Sequence, residues 1–300
     1  MLSAKVAHND PSHRRELVLR DGNPLCYFDY GQGPAILLVH GWAASSVFFE
    51  DLSAALARDH RVIIPDLRGH GETPAGPSPL SIELLAADIA ELVAHLELDH
   101  VVALGWSMGA MVLWQSLLAD SGNAFAGMIV EDMSPRILNN ADWSLGMVNG
   151  LDAASSARAL DVMRKDWPAY VRAFTPHMFA RDTARGNPDL VARTSDRMRH
   201  LDSDAMACLW ASMAQQDLRP QLPAIRVPTL IAYGGRSDAY GPETSRYLVE
   251  TLPEASRQEF ARSGHAPHLE EPTEFEHAVR DFASRVQTAA SPVQKFEGST

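Results

Sequence analysis

Cysteine is scarce in this 300-residue chain: Cys26 and Cys208 are the only two, far apart and outside any CxxC pattern. That excludes a disulfide framework and a cysteine-based zinc site. Long apolar runs are missing as well. No stretch approaches the roughly eighteen residues of a membrane-spanning helix, so no membrane span is expected. The polar start, MLSAKVAHNDPSHRRELVL, lacks the apolar centre of a secretion signal. The expectation is a cytoplasmic protein with reduced thiols. Positive charge is in deficit, with 26 Lys and Arg against 38 Asp and Glu. A net charge of −12 is the wrong sign for a phosphate-backbone binder, so nucleic acid is not an expected partner. What is present is ordinary globular composition, 46% hydrophobic and 21% charged, which argues against a disordered chain or a fibre.

Short apolar runs alternate with helical patterns along the chain. Leu17–Leu19 and Leu25–Tyr30 flank Asp21-Gly22, a hairpin signal. Ala35–Val39, Val62–Ile64 and Val101–Leu104 lack polar alternation, as strands covered on both faces should. Met128–Val130, Thr229–Tyr233 and Gln258–Ala261 complete the predicted strands. Ser81 is placed to cap a helix carrying Ile82, Leu85, Ile89, Leu92 and Leu96 at three-four spacing. Strands separated by helices imply right-handed crossovers and an α/β fold with a mostly parallel, doubly wound sheet.

The rhythm breaks between Pro135 and Pro220, where helical patterns run without a strand. Residues 135–220 therefore read as a helical cap inserted into a core of 14–134 and 221–286, with 1–13 and 287–300 as flexible tails. The cap segment holds eleven Lys and Arg against ten Asp and Glu, so the acidity lies in the core.

The sharpest chemical signal is Gly105-Trp106-Ser107-Met108-Gly109, a G-x-S-x-G run directly after a buried strand and opening a helix. Glycines on both sides permit a tight strand-to-helix turn that exposes the Ser107 hydroxyl at the sheet edge. A serine hydroxyl is a weak nucleophile and needs a base, and that base needs an orienting acid. His265 follows the last predicted strand and is the expected base, with His268 its nearest rival. A metal reading of His265 and His268 would need further ligands, and none are arranged for it. Asp238, after Thr229–Tyr233, is the expected acid; Asp132, one strand earlier, is the alternative. Backbone amides of Met108 and Trp42 are the expected oxyanion donors. His40 and Asp66 read as braces of their loops.

In order and spacing, HGWAASS, DLRGHG, GWSMGA, GGRSD and GHAPHLEEP resemble the α/β-hydrolase superfamily over about residues 15–285. Within it, GWSMG, the run Asp132-Met133-Ser134-Pro135 and the ending around Pro272 and Phe275 are similar to the pimeloyl-carrier methyl ester esterases. The resemblance implies a serine carboxylesterase that needs no cofactor and takes a small-molecule ester. An acyl-carrier partner would dock on Arg193, Arg197 and Arg199. Dehalogenases and epoxide hydrolases of this fold use a carboxylate where Ser107 stands, which argues against both. Thioester, lactone and carbon–carbon hydrolysis remain open on the same residues, as does a hydrolase-fold ligand receptor with little turnover. Cap residues expected to shape the pocket with Trp42 and Trp106 are Trp143, Met147, Met163, Trp167, Phe174, Met178, Phe179 and Trp210.

Overall fold

The computed structural model describes residues 12–119 and 124–290. Its sheet has eight strands among the described residues, in the order β1-β2-β4-β3-β5-β6-β7-β8. They are β1 (Arg14–Val18), β2 (Pro24–Tyr30), β3 (Ala35–Val39), β4 (Arg61–Pro65), β5 (Val101–Trp106), β6 (Phe125–Glu131), β7 (Thr229–Gly234) and β8 (Ala255–Phe260). β1 and β2 form the hairpin at one edge, closed by Gly22 at φ 82°, and both β1–β2 and β2–β4 pair antiparallel. From β4 through β8 every pairing is parallel.

The helices are α1 (Glu50–Leu56), α2 (Ile82–His95), α3 (Met108–Ala119), α4 (Ala153–Lys165), α5 (Trp167–Phe174), α6 (Arg181–Gly186), α7 (Pro188–Met198), α8 (Ser203–Gln215), α9 (Pro242–Thr251), α10 (Pro267–Glu270) and α11 (Pro272–Ala290). The Ser81 side chain caps α2 by accepting from the Leu84 amide at 3.2 Å, and Ile82, Leu85, Ile89 and Leu92 are fully buried beneath it. Burial of one such aliphatic side chain stabilises the fold by about 1.5–3 kcal/mol. All six residues of β5 are buried, so the central strand has helices on both faces.

The expected strands are present, with shifted ends. β6 begins at Phe125 and β8 at Ala255, each three residues before its expected start. In β8 the reason is exposure: Ser256, Arg257, Gln258 and Glu259 are solvated because this is the edge strand, so no apolar pattern marks them. The helix α11 continues through Ala290, where a tail was expected from 287, and the carbonyl of His13, expected in the other tail, accepts from the Asp29 amide of β2 at 3.1 Å; residues 1–11 and 291–300 of the expected tails lie outside the described residues.

Between β6 and β7 the chain adds no strand to the sheet and forms α4 to α8 with two isolated bridging residues, Asn140 and Trp143. This helical insertion is tied down at α2. There the Ile82 amide donates to the Ser212 hydroxyl at 3.0 Å, and the Gln216 amide group donates to Glu83 at 2.7 Å. No helix among the described residues is long and apolar enough to cross a membrane.

Candidate active site

Ser107 sits at φ 53° between β5 and α3, a left-handed backbone that a non-glycine residue adopts only where its surroundings enforce it. The surroundings are tight. A Cβ on Gly105 would lie 2.5 Å from the Ala110 nitrogen, and one on Gly109 would lie 2.1 Å from the Val39 carbonyl oxygen. The Ser107 amide donates to the Glu131 carbonyl at 2.9 Å, and the Ala110 amide donates back to the Ser107 carbonyl at 2.8 Å. Here the two glycines supply close approach rather than unusual torsions.

The loop after β3 crosses this turn so closely that a Cβ on Gly41 would sit 3.2 Å from Ser107 Cβ. Two buried histidines hold that loop. His40 Nε2 accepts from the Leu67 amide at 3.0 Å, so its proton is on Nδ1, which donates to the Gly41 carbonyl at 2.8 Å. His70 Nε2 likewise accepts from the Ala43 amide at 3.1 Å. Burial pushes His40 down to about 4 and His70 down to about 3, so both imidazoles are neutral at pH 7. Buried Asp66 accepts from the Ser46 and Glu72 amides at 2.7 and 2.9 Å. These three residues brace the loops that carry Trp42. The indole of Trp42 donates to the Met206 carbonyl at 2.9 Å, and Met108, whose side chain is fully buried, opens α3 directly after Ser107.

His265 lies in the loop between β8 and α10. Its amide donates to the Met178 carbonyl at 2.9 Å, and its own carbonyl accepts from the Trp106 indole at 2.7 Å. The backbone at His265 is therefore held from both sides. Its Nδ1 lies 2.7 Å from Asp132 Oδ2, and both residues are buried. Asp132 follows β6 at φ 47°, with its amide on the Ala232 carbonyl at 2.9 Å. Its carboxylate also accepts from the Gly234 amide at 3.3 Å and the Ser237 hydroxyl at 2.7 Å.

The expected pairing of Asp238 with His265 is thus corrected. Among the described residues, the carboxylate at His265 is Asp132. Asp238 faces the insertion, 3.5 Å from His177 Nδ1 and 3.6 Å from Arg181 Nε. Physically, Ser237 turns toward Asp132 and the next side chain points away from it. His268, the rival base, is engaged elsewhere: Glu131 Oε1 lies 2.7 Å from its Nδ1 and accepts from its amide at 3.0 Å. That second carboxylate–imidazole pair is fully buried and was not anticipated. Its signal was an acidic residue ending a strand buried on both faces, which demands a partner.

Ser107 and His265 open into one cavity of about 470 Å³, a volume suited to a small organic ligand. Trp42, Trp106, Met147, Phe174, Met178 and Trp210 line it, as expected. Trp143 and Trp167 do not. Trp143 packs on Tyr247 beneath Arg219, and Trp167 stands behind Trp42, its indole donating to the Met198 carbonyl. Met163 and Phe179 are fully buried core residues. Missed contributors to the lining include Tyr240, whose ring lies tilted 5.8 Å from that of His265, and Asn149.

The chain is similar to a pimeloyl-[acyl-carrier protein] methyl ester esterase of Photobacterium profundum, 27% identical over 86% of this chain and 98% of that one. It is similar to 3-oxoadipate enol-lactonase 2 of Acinetobacter baylyi at 23% identity, over 91% and 98% of the two chains. Among solved structures, an esterase from Exiguobacterium antarcticum superposes with a TM-score of 0.84 at 23% identity, covering 90% of this chain and 98% of that one. A family model matches residues 36–278, and the chain belongs to the alpha/beta hydrolase family.

Proposed function

We propose that this protein hydrolyses carboxylic esters through an acyl-enzyme, with Ser107 as nucleophile, His265 as base and Asp132 as the orienting acid. The observation that carries the reading is the 2.7 Å bond from His265 to Asp132, in a loop whose next face opens on the cavity shared with Ser107. Ionised Asp132 only accepts, so it fixes the His265 proton on Nδ1 and leaves Nε2 free to take the proton from Ser107. Attack on the acyl carbon then gives a tetrahedral oxyanion, stabilised by the Met108 and Trp42 amides. His265 returns the proton to the leaving alcohol, and water releases the acid by the same steps. Residues 135–220 act as a cap that supplies the Met147, Phe174 and Trp210 walls over a core of 14–134 and 221–286.

The similarity to an enol-lactonase supports lactones, which are cyclic esters, as a second substrate form for the same residues. A carrier-bound substrate has less support from the cap surface. Arg197 is held against Glu50 and stacks over Phe48, and Arg199 pairs with Asp196, so two of the three expected docking arginines are already engaged. The substrate in this reading is a free small-molecule ester.

The test is turnover on an ester panel of varied acyl length, beside thioesters and lactones. Multiple turnovers on esters are expected, and Ser107→Ala should lower kcat by about 10⁴-fold or more while the protein stays folded. A single turnover at most would favour a receptor, and an active Ser107→Ala enzyme would overturn the reading.

A further inference from the structure

Where an acid was expected after β7, the loop presents a hydroxyl to the acid of the neighbouring strand. Ser237 Oγ donates to Asp132 Oδ2 at 2.7 Å, the same oxygen that meets His265 Nδ1. The hydroxyl has one proton to give, and its orientation is set from the other side. The Ala239 and Tyr240 amides donate to Ser237 Oγ at 3.1 and 3.3 Å, occupying its lone pairs and directing the proton at the carboxylate. The two amides, the hydroxyl, the carboxylate and the imidazole form one directed chain.

Before Ser237 the loop is held by bonds that do not involve that hydroxyl. The Gly235 amide donates to the Phe260 carbonyl and the Arg236 amide to the Ser263 carbonyl, both at 2.9 Å. Ser237 is only partly buried, while Asp132 is almost fully so. A hydrogen bond to a charged group in so dry a place is stronger than one in water.

We propose that Ser237 is a positioning residue of the hydrolytic reaction: it aims Asp132 at His265 and sets how strongly that carboxylate holds the charged imidazole. The proposal rests on the reading of Asp132 as the acid. Without the hydroxyl, Oδ2 loses one of its two donors and concentrates its negative charge on His265. The imidazolium is then stabilised and the ring becomes a base only at higher pH. Rotation of the loosened carboxylate also lowers the fraction of correctly oriented imidazole. The groups facing this assembly are the Tyr240 and Trp106 rings beside His265, with Asp238 following Ser237 but turned to His177 and Arg181.

The experiment measures kcat, KM and the pH profile of kcat/KM on one ester for the full-length wild type, Ser237→Ala, Ser237→Thr and Asp132→Asn. Thermal unfolding is recorded alongside. Ser237→Ala should lose roughly tenfold or more in kcat with KM little changed, the scale of one hydrogen bond to a charged group. The acid limb of its profile should move to higher pH, and Ser237→Thr, which keeps the hydroxyl, should restore both. A severe Asp132→Asn defect with a Ser237→Ala profile that does not move, or that Thr fails to restore, overturns the role of Ser237 while the acid stands. A mild Asp132→Asn defect overturns the acid reading and this proposal together.

Discussion

Asp132 Oδ2 and His265 Nδ1 are 2.7 Å apart, although the helical insertion, β7 and β8 separate the two residues, which are 133 positions distant in the chain. β6 and β7 are adjacent parallel strands, so their ends open on the same sheet edge, and either could present an acid to the β8 loop. Asp132→Asn is expected to reduce kcat about 10³–10⁴-fold, because an amide presents the wrong partner to Nδ1. Asp238→Asn is expected to change kcat less than about tenfold, since it alters only partly exposed ion pairs of little worth. Steady-state kinetics of the two variants on one ester checks the order.

The Glu131–His268 pair predicts stability rather than rate. His268→Ala leaves a carboxylate buried with no cationic or donor ring against it, at a cost of about 3–5 kcal/mol. Glu131→Gln should cost less, because the amide oxygen can still accept from the His268 ring and backbone. Denaturant unfolding at neutral pH measures both.

The loop braces predict acid sensitivity. His40 and His70 are held well below their ordinary value of 6.5, at about 4 and about 3. Between those values and 6.5 the unfolded chain binds protons that the native protein does not, so stability rises with pH there. Read downward, stability is present above pH 6.5 and is lost as the pH falls toward 4. A series of Tm values across that window checks the sign, and a flat or opposite trend contradicts it.

The cavity walls predict selectivity. Phe174 lines the cavity, so Phe174→Ala should raise kcat/KM for bulky acyl esters relative to acetate by about tenfold. Trp143 is outside it and packs on Tyr247. Trp143→Ala should lose about 3–5 kcal/mol of stability and leave the selectivity ratio unchanged. Paired kinetics and unfolding on the two variants separate lining from packing.

Some of this was written plainly in the sequence, and some could not be. The buried strands, the Ser81 cap and the turn at Ser107 are local: each needs only the composition of a few neighbouring residues. The start of β8 was not legible, because an edge strand shows no apolar run. The choice between Asp132 and Asp238 was not legible either. Both follow strands at one sheet edge, and the decision rests on which way Ser237 turns, a matter of loop torsions. Trp143, in the irregular segment before α4, and Trp167, at the start of α5, do not line the cavity, because an aromatic looks the same in composition whether it faces a cavity or a neighbour.

The central claim is that Ser107 forms a covalent bond to the acyl group. Its most direct measurement is intact-mass and peptide mass spectrometry after treatment of an active preparation with an organophosphonate ester. One adduct is expected, on the peptide containing Ser107, with loss of activity in proportion to labelling and no adduct on Ser107→Ala. An enzyme that loses no activity and carries no adduct, or one labelled elsewhere in the Ser107→Ala variant to the same extent, contradicts the account.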